Sequence, residues 1–160
     1  MPHSIVLRDG RMTRIRALGE DDAPALVAFV RALSPEARRA RFFNAVSSLS
    51  AERLQDLLAR PGLSVGAFDP DGRIVAHGQY VLAGTQAEFA IVVADGWRRN
   101  RLGAALLWML KQHASDAGVR TLGGEMLADN DAMRRVAAKL GFTFKRAGDP
   151  VMLRAVYGTR

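Results

Sequence analysis

Apolar and polar residues alternate along this chain with two different periods, and the switches between them mark out its elements. Ser4 to Ala17 runs with period two around Asp9-Gly10, a dipeptide suited to a tight hairpin turn. From Asp21 and Asp22, which offer helix N-caps, the period becomes helical, with Leu26, Phe29, Val30 and Leu33 on one face. Ser34-Pro35-Glu36 predicts a second helix through a cap, a proline in the first turn and an acid at the positive dipole end; it carries Ala37, Ala40 and Phe43. Ser50 caps a third, with Leu54, Leu57 and Leu58 inward, and Pro61-Gly62 stops it. The pattern then turns to strands. Leu63 to Phe68, the turn Asp69-Pro70-Asp71-Gly72 and Arg73 to Leu82 read as a hairpin. Gly84-Thr85 is the next turn, and Ala87 to Val93 is the most strand-like segment of all. An arginine-rich loop from Asp95 leads into a helix with Leu102, Leu106, Met109, Leu110, His113 and Ala117 on one stripe, ending near Gly118. Thr121 to Leu127 is a strand. Asn130 opens a further helix, with Met133, Val136, Ala137 and Leu140 at helical spacing before Gly141. Phe142 to Arg146 and Val151 to Val156 are closing strands.

A single domain spanning residues 1–160 accommodates this order, since the length suits one core and leaves little for a second. The class is α/β: one mixed, mostly antiparallel twisted sheet flanked by helices. Composition changes little, with 49% apolar and 24% charged residues. The longest apolar run, Ala104 to Leu110, is too short to cross a bilayer. Charge enters at Arg8 and Asp9, before a signal-peptide core could form, and with no cysteine there is neither disulfide nor thiolate site. His3, His77 and His113 are too scattered to build a metal site. The expectation is a cytoplasmic, metal-free protein without a membrane partner.

The net charge of +7 suits nucleic acid or a polyanionic small ligand equally. Of 23 basic residues only Lys111, Lys139 and Lys145 are lysines, a bias that base composition alone produces. The arginines are dispersed and not interleaved with aromatics, which argues against a nucleic-acid partner.

The chemistry concentrates between Ala87 and Leu107: a strand, a basic turn, and a helix that starts with small residues. A helix N-terminus presents unpaired N–H groups and the positive dipole end. Gly103 and Ala104 let a phosphate approach the backbone, and Arg98, Arg99 and Arg101 surround the same turn. Geometry alone thus suggests a pyrophosphate cradle, although a glycine at such a turn is common without one.

These residues resemble the GNAT superfamily of N-acetyltransferases, whose acetyl-CoA motif is Gln/Arg-x-x-Gly-x-Gly/Ala at this junction. Arg98 fills its first position and Gly103 its last, while Arg101 stands where the first glycine falls. Asn130, Met133 and then Lys139-Leu140-Gly141-Phe142 are similar to the family's closing motif. Arg8-Asp9-Gly10, Ile15-Arg16, Glu20 to Ala23, Leu33-Ser34-Pro35-Glu36 and Arg41-Phe42-Phe43 resemble the branch that contains bacterial protein lysine acetyltransferases. The resemblance covers essentially the whole chain. It implies acetyl-CoA as co-substrate, with pantetheine along the backbone of Ile91, Val92 and Val93. The pyrophosphate would lie on the N–H groups of Arg99, Asn100, Arg101, Leu102, Gly103 and Ala104, and Asn130 would contact the coenzyme near its thiol. The acceptor is an amine, either a small molecule or a protein lysine. A homodimer is compatible with it.

Two positions depart from the pattern. Arg101 either binds phosphate with its cation or fills the space phosphate needs. Ala137 occupies the place where many relatives carry a tyrosine acid, and Tyr80 and Tyr157 sit elsewhere. The implied mechanism is direct transfer: a base deprotonates the amine, the amine attacks the thioester, strand N–H groups hold the oxyanion and thiolate departs. Glu88 is the candidate base. It sits in an apolar strand whose surroundings would raise its pKa; the competing reading is a solvent-exposed or arginine-paired strand residue. Glu125 and Asp95 belong to a separate strand and a polar turn. A non-catalytic CoA-binding or sensor domain, and a nucleic-acid binder, remain as alternatives.

Overall fold

Glycines in left-handed conformation end or turn successive segments: Gly10, Gly72 and Gly84 have φ of 92°, 83° and 68°, each between two strands. The computed structural model describes residues 3–35, 50–98 and 101–158. Its strands are β1 (His3–Val6), β2 (Met12–Ala17), β3 (Gly62–Phe68), β4 (Ile74–Ala83), β5 (Gln86–Val93), β6 (Thr121–Leu127), β7 (Thr143–Arg146) and β8 (Met152–Gly158). The helices described are α1 (Ala23–Ala32), α2 (Ala51–Ala59), α3 (Leu102–Asp116) and α4 (Asp131–Lys139). The helix expected from Ser34-Pro35-Glu36 through Phe43 falls mainly outside the described residues.

All eight strands form one sheet in the order β1-β2-β3-β4-β5-β6-β8-β7. Every pair is antiparallel except β5–β6. The mixed, mostly antiparallel sheet flanked by helices is therefore the arrangement found. α3 lays Leu102, Leu106, Leu107, Leu110 and Ala114 on one face, with Ala137 of α4 in the same core. α1 and α2 cover the other face, where Leu26, Phe29, Val30, Leu54 and Leu58 meet Phe68, Ile74 and Val92.

Two local readings change. The buried stripe of α3 passes through Leu107 and Ala114, whereas His113 and Ala117 are exposed. His113 lies at the margin of the stripe, where its Nδ1 is 2.7 Å from the buried Tyr80 Oη. Asp22 is the N-cap of α1 by position but makes no side-chain cap bond there. Its carboxylate instead accepts from the Gly19 N–H (2.9 Å) and from both Arg16 Nη atoms (2.9 and 3.0 Å). Arg16 by hydrogen bonding, helped by Gly19 and opposed by desolvation, holds this carboxyl below the usual carboxylate range.

Candidate active site

The parallel pairing of β5 with β6 lasts only three residues, Gln86↔Thr121, Ala87↔Leu122 and Glu88↔Gly123. Both strands continue in other ladders, β5 with β4 to Val93 and β6 with β8 to Leu127, so a fork opens after Glu88. Gly124 forms part of its base: a Cβ there would lie 2.6 Å from the Phe89 carbonyl oxygen and 2.7 Å from the Phe89 ring. Backbone polar groups of a strand point alternately to its two sides. Ala94 donates to Val75 next to β4 at 2.9 Å, so Val92 faces β4 too. The N–H groups of Ile91 and Val93 then face the fork. The Phe89 carbonyl beside Gly124 and the Val93 carbonyl, which accepts from Arg98 Nε at 3.2 Å, fit the same alternation. Of Ile91, Val92 and Val93, the first and last thus turn their backbone N–H groups to the fork, while the Val92 side chain is buried in the α1–α2 core.

About 17 Å of strand separates Glu88 from Val93, and α3 begins beyond it. The first bond of α3 runs from the Ala105 N–H to the Arg101 carbonyl (3.0 Å). The N–H groups of Leu102, Gly103 and Ala104 therefore project from the helix end without an intrahelical acceptor. Leu102 itself is a core residue. Gly103 has its missing side chain toward protein: a Cβ would meet Met133 Cε at 3.3 Å and Val93 Cγ2 at 3.8 Å. This glycine brings the first turns of α3 and α4 together at the end of β5. Asn130 opens α4 by accepting from the Met133 N–H at 3.2 Å, so its oxygen serves the helix cap.

Arg98 is turned back onto its own loop, with Nη2 3.3 Å from Asp95 in addition to its bond to Val93. Arg101 is exposed and caps α3 in the left-handed conformation (φ 71°, ψ 7°). Arg99 and Asn100 lie outside the described residues. A more distant arginine also braces this loop. Arg11, just past the β1–β2 turn, donates to the Gly96 carbonyl at 2.7 Å and stacks 3.8 Å over the Trp97 ring. The projecting N–H groups of α3, the cations around them and the open edge of β5 suit an extended ligand with an anionic end.

Glu88 stands at the vertex of the fork, but not in the apolar surroundings expected from its neighbours. Adjacent strand residues point to opposite faces, so Phe89 and Ile91 pack toward α3 while Glu88 faces the α1–α2 side with 59% of its side chain exposed. Both its oxygens are engaged by Arg154 of β8: Nη1 donates to Oε2 at 3.0 Å and Nη2 to Oε1. Glu125, opposite Arg154 in the β6–β8 ladder, lies on the same face. Glu88 by hydrogen bonding holds the Arg154 guanidinium above its ordinary range, against partial burial and aided by the charge of Glu125. The exposed, arginine-paired setting of the competing reading is thus the one found, although nothing in the sequence singled out Arg154 as the partner. Tyr80 and Tyr157 belong to the α3–α4 face, and Ala137 is fully buried beneath it. Among the described residues no group of three or more His, Cys, Asp or Glu side chains gathers as a metal site, and no helix is long and apolar enough to cross a membrane.

The family model described as "Acetyltransferase (GNAT) family" matches residues 26–142. The acetyltransferase PA5475 of Pseudomonas aeruginosa is 30% identical over 151 residues, 89% of this chain and 81% of its own. The solved GNAT domain of S. lividans PAT superposes with a TM-score of 0.84 at 28% identity, covering 98% of this chain and 96% of that one. The yncA acetyltransferase of Salmonella typhimurium, solved with its cofactor acetyl-CoA, superposes at 0.72 with 17% identity over 92% and 94% of the two chains.

Proposed function

The chain belongs to the GNAT family of acetyltransferases and is an acetyl-CoA-dependent N-acetyltransferase; on that premise we propose that its acceptor is a protein lysine and that Glu88 is the base. The observation that carries the reading is the fork itself, which places a carboxylate at its vertex and a helix N-terminus at the far end of the same strand. Acetyl-CoA supplies an activated acetyl thioester. The N–H groups of Leu102, Gly103 and Ala104 hold its pyrophosphate, with Arg101 beside them. The N–H groups of Ile91 and Val93 bind along the arm, and the amide of Asn130 remains for a contact near the mouth.

A lysine amine is protonated at neutral pH, with a reference pKa of about 10.4, so a proton acceptor must stand at the point of attack. Glu88 is the carboxylate at the vertex. Its exposure lets a lysine on a protein surface reach it, which an enclosed pocket would prevent. No tyrosine lies on this face to reprotonate the leaving group, so solvent supplies that proton. Support for the lysine acceptor comes from the branch-like N-terminal half and from the superposition on the S. lividans domain.

The test is thiol release from acetyl-CoA in the presence of blocked lysine peptides, free amines and candidate proteins. Glu88→Gln keeps the shape and removes the basicity. It is expected to lower kcat about a hundredfold with little change in affinity for acetyl-CoA. Wild-type turnover in that variant would remove Glu88 from the role. Coenzyme binding without turnover on any amine would favour a CoA-binding sensor instead.

A further inference from the structure

Glu88 and Arg154 are 66 residues apart and do not sit on neighbouring strands. β6 lies between them in the sheet, and the guanidinium crosses it. The crossing point is Gly123, paired with Glu88 on one side and with Val156 on the other. A Cβ at Gly123 would lie 2.5 Å from Arg154 Nη2 and 3.1 Å from Cζ. No larger residue leaves room for that side chain to lie flat over β6. Gly123 has no positive φ, so the backbone does not demand glycine there; the space does.

We propose that Arg154 is a positioning residue for Glu88, reaching over Gly123 to fix the carboxylate at the vertex of the fork. The proposal rests on the reading of Glu88 as the base. A glutamate side chain with more than half its surface exposed samples several rotamers, and a base has to be within hydrogen-bond reach of one particular proton. A two-point guanidinium–carboxylate contact holds the carboxylate in a single plane. Glu125, at the opposing β6 position, adds a favourable charge to Arg154, and Lys145, opposite Arg154 in the β7–β8 ladder, flanks it with like charge on the far side. The pair adds little stability where it is open to solvent, so its expected effect is on turnover.

Three variants test this with the chain as it stands. Arg154→Ala should lower kcat about tenfold and leave the KM for acetyl-CoA unchanged. Gly123→Ala should lower kcat in the same direction, because its methyl clashes with the movable end of Arg154 while the Ala155 carbonyl, at 3.5 Å, is an ordinary contact, so the guanidinium is displaced without unfolding the sheet. The double variant should be no worse than Arg154→Ala alone, since both remove one contact. Additive losses, or an Arg154→Ala enzyme with wild-type kcat, would overturn the proposal. If Glu88→Gln retains full activity, the base assignment fails first, a result separable from these. A second readout is chemical rescue: methylguanidinium in the tens of millimolar should restore part of the kcat lost in Arg154→Ala and none of that lost in Arg154→Ala/Glu88→Gln. Equal responses of the two variants would refute a guanidinium seat at Glu88.

Discussion

Replacing Arg101 by glycine should stabilise the protein and weaken its hold on acetyl-CoA, two opposite effects from one substitution. Arg101 is the one non-glycine with positive φ among the described residues. The left-handed region costs an L-residue about 1–2 kcal/mol, a penalty glycine escapes. Glycine in turn adds about 0.4–1 kcal/mol of unfolded-state entropy, leaving a net gain of roughly 0–1.6 kcal/mol, centred near 0.8. For a chain of this length that is a rise in Tm of about 1–4 °C. Arg101→Ala is the control, because it removes the same cation from the helix N-terminus yet keeps the Cβ. The stability difference between the glycine and alanine variants therefore isolates the backbone, and thermal denaturation without ligand measures it. If the guanidinium grips a phosphate, both variants should bind acetyl-CoA about tenfold more weakly, the loss of a charge-assisted contact near 1.5 kcal/mol. Equal stability of the two variants would refute the left-handed cap. Tighter binding by both would show that the arginine obstructs the ligand.

The Arg16–Asp22 pair predicts a pH-dependent contribution to stability. Asp22 has its folded pKa depressed, so the stabilisation is present above its unfolded value near 3.8 and is lost as pH falls through the folded one. Asp22→Asn should be destabilised by about 1–2 kcal/mol at pH 7, with the gap from wild type closing below about pH 3–4 in urea denaturation. Arg11→Ala removes the brace on Gly96 and Trp97 from outside the fork. It should raise the KM for acetyl-CoA severalfold while kcat at saturating coenzyme stays near wild type; a fall in kcat alone would place Arg11 in another role.

Element boundaries were legible along the chain because helices and hairpins are set by near neighbours. Ser50 and Asn130 accept from the N–H three residues on, as their positions before apolar runs indicated, and Gly10, Gly72 and Gly84 mark the turns. The helix-end N–H groups of Leu102, Gly103 and Ala104 were readable for the same reason. Strand pairing is different in kind, since partners lie tens of residues apart and no local pattern records them. That β5 meets β6 in parallel for three residues and then parts from it depended on which ladders each strand completes elsewhere. The setting of Glu88 was misread by sequence adjacency: Phe89 and Ile91 follow it in the chain but point to the other face of the sheet. Its actual neighbours are Gly123 and Arg154, brought there by the order β5-β6-β8. A side chain's environment in a sheet is fixed by cross-strand register and by face, and both are properties of the assembled sheet.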